Sequence, residues 1–422
     1  MTPQTNSGRR RQPRELVALY LPICFVLITL LLTARLDGYG KRLVGVDAPW
    51  AEGSTNDATR GAAPWRSSHS AVLAMATIMG MDAFQTFLGS LRATGYSGHI
   101  ILGITGDGGW GGGEDVVDYL TSQNVTIKPY VVGSPGSYSE YKTSHARFFL
   151  YRDWIENCTS CTDGIMLTDF RDAYFQADPF ATAVTLGQQY PIMVFEELVD
   201  GVHDATHSLT NHPVSICRGY TFGPHQPIFL SPRPLPPVLC SGSTMGSREG
   251  ILEYLRAMTT EIKHWKNTEK CNFDMAGDDQ SIHNYLYYTN QLNYTTEKGT
   301  VVNAKAIPHR TGSIHVVGVQ ADRIYRNVSE TVGCKPWPEP CPERANYYVK
   351  DDVWQKWIPE RPGFGAPNDT TSLLDPDTGM ILNLDGTPSA QVHQVDRFGD
   401  LPQRWFEMMS EKGWPYNKAT WP

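Results

Sequence analysis

The segment Gly164-Ile165-Met166-Leu167-Thr168 carries no charge and runs directly into Asp169. A short apolar run of branched residues that stops at carboxylates reads as a buried strand. The chain then opens into a turn with Asp169 and Asp172, followed by Ala173-Tyr174-Phe175-Gln176-Ala177-Asp178-Pro179-Phe180. In open α/β sheets, ligands bind outside the carboxyl ends of the strands. Two acids at such an end suit a divalent cation held against a diphosphate. They also suit plain turn formation, because Asp favours turns. Asp178, just before Pro179, reads as a turn former.

The flanking sequence supports an α/β class. Apolar strands are expected at Ser70–Met79, His99–Ile104, Val125–Val132 and Pro191–Phe195, besides Gly164–Thr168. Helical spacing is expected over Asp82–Thr94, where Phe84, Phe87, Leu88 and Leu91 share a face. Further helices are expected over Glu114–Gln123, Ser144–Glu156, Ile251–His264 and Gln280–Tyr288. Strands alternating with helices imply a mainly parallel sheet flanked by helices. With 422 residues, 41% hydrophobic and 19% charged, the chain has material for a large core and is not mostly disordered. Its net charge of −8 gives no broad electrostatic reason for a nucleic-acid partner.

Residues 16–34 form an uncharged apolar run. As a helix it would span about 28 Å at ~1.5 Å per residue, close to the hydrocarbon thickness. Arg9, Arg10, Arg11 and Arg14 precede it, which orients the remaining chain to the lumen. The alternative is a cleaved signal peptide. The expected organisation is a cytoplasmic tail (1–15), a signal anchor (16–34), a stem (35–67), a catalytic body (68–330) and a C-terminal segment (331–422). Asn-x-Ser/Thr sequons at Asn124, Asn157, Asn293, Asn327 and Asn368 all follow the apolar run. So do seven of the eight cysteines, which suits an oxidising compartment. Pairing of Cys217 with Cys240 and of Cys334 with Cys341 is expected, although spacing does not fix connectivity. Cys158-Thr159-Ser160-Cys161 lacks a second Cys-x-x-Cys for a four-thiolate zinc site, so a structural bridge or free thiols are expected.

A nucleoside-diphosphate leaving group needs its charge neutralised as the glycosidic bond breaks. Mn²⁺ or Mg²⁺ does this as a Lewis acid on oxygen-rich ligands. The 169–180 segment resembles the Asp-x-Asp signature of metal-dependent nucleotide-sugar glycosyltransferases of the GT-A fold. Its aromatic stretch and Asp-Pro-Phe ending are similar to several Golgi transferase families. One departure stands out: Asp169 precedes Asp172 by three residues where two is usual. Residues i and i+3 of a strand do not share a face, so both reach one metal only if the chain turns at Phe170-Arg171. The resemblance makes Asp172 the firmer metal ligand. Asp169 would assist on the metal, or contact the ribose or a ligand-bound water.

Other segments fit the same resemblance. Cys240-Ser241-Gly242-Ser243 is similar to a small-residue segment lining the donor sugar, which implicates Ser241 and Gly242 in donor binding; a plain loop and helix cap reads as well. Gly277-Asp278-Asp279-Gln280 resembles an Asp-Gln helix start near the reacting centre. Asp279, or Asp278, would be the general base of an inverting enzyme; in a retaining one Asp279 would bind the donor sugar with Gln280 beside it. The competing reading is an Asp N-cap. Arg171 joins the donor-binding candidates. His393, in a His-Gln-x-Asp-Arg string, is the preferred third metal ligand over His315, whose apolar alternation suits a core histidine. Arg147 could reach a diphosphate or simply cap and charge its helix. Glu196-Glu197 alternate faces and carry no distinctive pair. The glycine-rich 106–113 segment lacks a P-loop ending and reads as a loop or lid.

The expectation is a single-pass type II Golgi glycosyltransferase of α/β, GT-A-like (Rossmann-like) fold. It would use Mn²⁺ (or Mg²⁺) and a nucleoside-diphosphate sugar, with a glycan, glycoprotein or glycolipid as acceptor. The alternatives are a catalytically silent lumenal binding protein of the same fold, and a glycoside hydrolase.

Overall fold

The computed structural model describes residues 64–77, 79–105, 114–130, 138–182, 184–185, 189–197, 208–220, 238–271, 278–297, 299, 301–316, 375, 378 and 380–394. The expected membrane anchor, the stem up to residue 63, the 106–113 glycine segment, Cys334, Cys341, Asn327 and Asn368 lie outside the described residues. Among the described residues no helix is long and apolar enough to cross a membrane.

The first described strand is β1 (Ala71–Ala76), after a 3-10 turn at Ser67–His69. Helix α1 follows, as an α-turn at Met81–Phe84, a π-turn at Gln85–Gly89 and a last α-turn at Ser90–Ala93. Then come β2 (His99–Thr105), α2 (Glu114–Ser122), β3 (Val125–Tyr130), α3 (Thr143–Glu156) and β4 (Gly164–Thr168). The second half supplies β5 (Ala173–Phe175), β6 (Ile192–Glu196), α4 (Ser208–Arg218), β7 (Leu239–Ser247), α5 (Arg248–Lys266) and α6 (Asp278–Tyr288). Short strands close the order: β8 (Tyr294–Thr295), β9 (Val301–Val302), β10 (Lys305–Ile307), β11 (Ile314–Val316) and β12 (Gln391–His393).

Among the described residues seven strands form the main sheet, in the order β10-β6-β7-β4-β1-β2-β3. All neighbours are parallel except those of β7, which runs antiparallel to β4 and β6. This is a mixed, mainly parallel α/β sheet, compatible with a Rossmann-like arrangement. Both faces are covered, as apolar strands require. Side chains alternate across the sheet. Leu73, Ile101, Ile165 and Leu167 pack with Phe148, Phe149, Tyr254 and Met258 of α3 and α5. Val72, Ala74, Ile100, Leu102 and Met166 pack with Phe84, Phe87, Leu88, Val116 and Leu120 of α1 and α2.

A second sheet, β11-β12-β5, carries the consequence for function. Its middle strand, β12, pairs parallel with β11 and antiparallel with β5, setting His393 opposite Ala173. Gln176 reinforces the join, its side-chain amide donating to the carbonyls of Ile381 and Ser389 at 3.0 and 2.9 Å. The residue that follows Asp172 in sequence is thereby cross-strand from a histidine more than two hundred positions later.

The helix expected from Ile251 starts earlier, at Arg248, because Ser247 caps it by accepting from the Gly250 backbone amide at 3.1 Å. The 240–247 segment, open to reading as a loop, is a central strand. Its small residues have a steric reason. A Cβ on Gly246 would overlap the Pro191 carbonyl oxygen, and one on Gly242 would overlap the Asp169 carboxylate and the His393 ring.

The cysteine expectations need one correction. Cys217 bonds Cys271, not Cys240, which is a buried free thiol. Cys240 sits on β7 at the carboxyl end of β4, whereas Cys217 ends α4, where Cys271 follows α5. Cys158 and Cys161 bridge each other. Of the described sequons, Asn124 and Asn157 are exposed and Asn293 is half-buried.

Candidate metal centre at the end of β4

β4 ends at Thr168, and the chain leaves the sheet before Asp169. The turn that both aspartates need is present. Phe170 points into the core between Phe84 and Phe87, with ring centroids 5.0 and 4.7 Å away. Burying such a ring contributes about 1.5–3 kcal/mol, enough to fix the turn. Arg171 stays exposed, and Asp172 swings back inside before β5 begins. The extra residue in the spacing is absorbed by this one-in, one-out bend.

Asp169, Asp172 and His393 converge, with one ligand atom from each lying within 4.8 Å of the others. His393 Nε2 is 3.3 Å from Asp172 Oδ1 and 3.5 Å from Asp169 Oδ2. Ligands ~2.1 Å from an octahedral cation stand about 3 Å apart at adjacent positions, so small movements would admit an ion. The buried Nε2 makes no well-aligned hydrogen bond and faces the two carboxylates. A buried ring nitrogen beside two carboxylates is a donor set that could hold a divalent metal ion. The side chains of His393 and Asp172 are 1% and 8% exposed, and that of Asp169 is 36% exposed. The first two form the wall and Asp169 the open edge through which a ligand can approach.

His315 is not part of this cluster. It is fully buried on β11, its ring 4.5 Å from that of His309.

The charges around the cluster are interlocked. Arg147 lies in the buried part of α3 and donates to Asp169, to Asp279 Oδ2 at 2.7 Å and to the Ser241 carbonyl at 3.3 Å. Burial alone would raise the Asp169 carboxyl; Arg147 and His393 outweigh it and hold the group well below the usual carboxylate range. Burial likewise works against a charged His393, but Cys240, Asp172 and Asp169 move it well above its ordinary value. Arg147 is thus a buried connector, not a surface charge.

The other candidates spread around this core. Ser241 Oγ donates to Asp279 Oδ2 at 3.1 Å, and the Gly242 carbonyl accepts from the Asp169 amide at 2.9 Å. Asp278 opens α6; its side chain lies outside the described set. Gln280 donates to Glu197 Oε2 at 3.1 Å. Glu197 is buried just past β6, so a carboxylate that alternation alone passed over lies beside the Asp-Gln helix start. Arg171 is exposed at the turn. Sequence reasoning also missed Ser243, whose Oγ lies 2.9 Å from His393 Nδ1.

Compared with known proteins, the chain matches no family model and no characterised sequence.

Proposed function

We propose that this chain is a metal-dependent glycosyltransferase of GT-A-like fold. It moves a sugar from a nucleoside-diphosphate sugar to a hydroxyl of a glycan, glycoprotein or glycolipid. The observation that carries the reading is the convergence of Asp169, Asp172 and His393 at the carboxyl end of a central strand. Asp172 and His393 would hold Mn²⁺ or Mg²⁺, with Asp169 completing the set from the open edge. When bound, the ion supplies Lewis-acid neutralisation of the diphosphate leaving group.

The chain's own residues supply the rest. Arg147 fixes the orientation of Asp169 and Asp279. Ser241 and Gly242 present small side chains and backbone beside Asp169, where a sugar diphosphate can approach. In the reaction the anomeric carbon–phosphate oxygen bond breaks and a bond to the acceptor oxygen forms. The hydroxyl proton goes to a carboxylate, for which Asp279 or Asp278 is the candidate in an inverting enzyme; in a retaining one Asp279 would hold the donor sugar with Gln280. The uncharged 16–34 run would anchor the chain in the Golgi membrane as a type II protein. The exposed sequons and the two disulfides agree with a lumenal body.

The test is a nucleotide-sugar screen read by nucleotide release, with and without Mn²⁺, on wild type and Asp172→Ala. Metal-dependent release by the wild type and at least ~10²-fold loss in the variant is the expected result. Nucleotide binding without turnover for any donor would favour a silent binding protein instead. Undiminished metal-dependent turnover by Asp172→Ala would remove the assigned site.

A further inference from the structure

A histidine holds a cation through one ring nitrogen only when the other nitrogen carries the proton, and that choice is made by what the second nitrogen meets. His393 aims Nε2 at Asp169 and Asp172. Its Nδ1 points the other way, into β7. There it meets Ser243 Oγ at 2.9 Å and Cys240 Sγ at 3.5 Å. A hydroxyl oxygen at 2.9 Å is a full hydrogen-bond partner, while sulfur is a weak one.

We infer that Ser243 is the positioning residue of the metal centre: its hydroxyl oxygen accepts the Nδ1 hydrogen of His393 and so reserves the Nε2 lone pair for the cation. This assignment rests on the proposed metal role of His393 and extends it to a residue that touches neither ion nor substrate.

The fold supports the assignment independently of the hydrogen bond. Ser243 is fully buried and lies in register with Thr168, the residue before Asp169. The strand that delivers Asp169 and the strand that delivers Ser243 are therefore direct neighbours. His393 arrives from a different sheet, its register set by Ala173, the residue after Asp172. Ser243 is the cross-link between these two registrations. A second polar contact runs alongside, from the Gln391 side-chain amide to Thr168 Oγ1 at 2.6 Å. Together they tie β12 to β4 and β7 beside the ring.

The Cys240 thiol could compete for the role. It is the more distant partner at 3.5 Å, and sulfur is the weaker hydrogen-bonding atom.

The experiment uses the full-length chain and Mn²⁺ alone, without nucleotide, reading free Mn²⁺ by electron paramagnetic resonance. Ser243→Ala should weaken Mn²⁺ binding by ~10–100-fold, the usual effect of losing an outer-shell partner, and Ser243→Thr should restore most of it. Cys240→Ala should bind Mn²⁺ like wild type. A spectroscopic arm excludes a merely structural effect. In ¹⁵N-histidine-labelled protein with Mg²⁺, the His393 signals should show a hydrogen-bonded Nδ1–H in wild type and Ser243→Thr, and lose that hydrogen-bond shift in Ser243→Ala. Wild-type affinity and an unchanged Nδ1 signature in Ser243→Ala would overturn the inference. If Asp172→Ala abolishes binding in the same experiment, the metal site stands and only the role of Ser243 falls. If wild type binds no Mn²⁺, both fall.

Discussion

Arg147 and Asp279 stand 132 positions apart in sequence and meet at 2.7 Å, with the other arm of the same guanidinium on Asp169. One buried cation thus ties the helix before β4 to the turn after it and to the start of α6. Removing one partner of a buried pair leaves the others uncompensated. Arg147→Ala should therefore lose about 3 kcal/mol, the lower end of the usual range, since Asp169 is 36% exposed and partly solvated. Urea unfolding checks this. Arg147→Lys should recover part of the stability but not the two-sided geometry, because an ammonium cannot fork between two carboxylates in the same way.

Gly242 makes a separate prediction. A methyl at this position would overlap the Asp169 carboxylate and the His393 ring. Gly242→Ala should displace one of the two and weaken Mn²⁺ binding by at least ~10-fold, comparable to loss of a supporting partner. Gly219→Ala, at a residue with nothing near its Cβ position, is the control, expected to leave Mn²⁺ binding unchanged; its positive φ of 63° makes it a test of backbone strain instead. Paired Mn²⁺ titrations of the two variants check the contrast.

His283 predicts an acid limb in stability. Its ring is fully buried, with Tyr254 Oη 2.8 Å from Nδ1, and burial pushes it down to about 3. In the unfolded chain a histidine titrates near ~6.5. The unfolded state therefore takes up the proton first. The stabilisation is complete above pH ~6.5 and is lost as pH falls toward about 3, with a slope of up to ~1.4 kcal/mol per pH unit. His283→Gln should flatten the stability–pH curve between pH ~6 and ~4 by about 1 kcal/mol per unit. Thermal or urea unfolding across that range measures it.

The two disulfides should differ in worth. Cys217–Cys271 closes a loop with a sequence separation of 54, and Cys158–Cys161 one of 3. Loop-closure entropy assigns about 4 kcal/mol to the first and about 2 kcal/mol to the second. Paired serine variants, compared by urea midpoint, should show the larger loss for Cys217 and Cys271.

The parts of this molecule legible in sequence are those set by local pattern. Gly164–Thr168 reads as a strand because its apolar residues declare it, and the structure keeps those bounds. The helix over Ser144–Glu156 differs from the observed one by a single residue at its start. β7 was ambiguous because Ser, Gly and Thr signal strand poorly; two neighbouring strands and the need for close approach at Gly242 and Gly246 make it one. The acidic motif was visible, but whether Asp169 could join Asp172 was not. That depends on Phe170 finding a slot between Phe84 and Phe87, a contact with a distant helix. Arg147, Ser243 and the Cys217–Cys271 bond were obscure for the same reason: each is defined by a partner far along the chain.

β12 has a consequence for how the protein matures. It is the inner strand of a three-stranded sheet whose two flanks, β5 and β11, are complete by residue 316. A nascent chain can lay down every described strand of the main sheet and still lack His393 until residue 393 emerges from the ribosome. Products truncated before Gln391 would present two open strand edges and an unfinished site, making them targets for quality control instead of partially competent proteins.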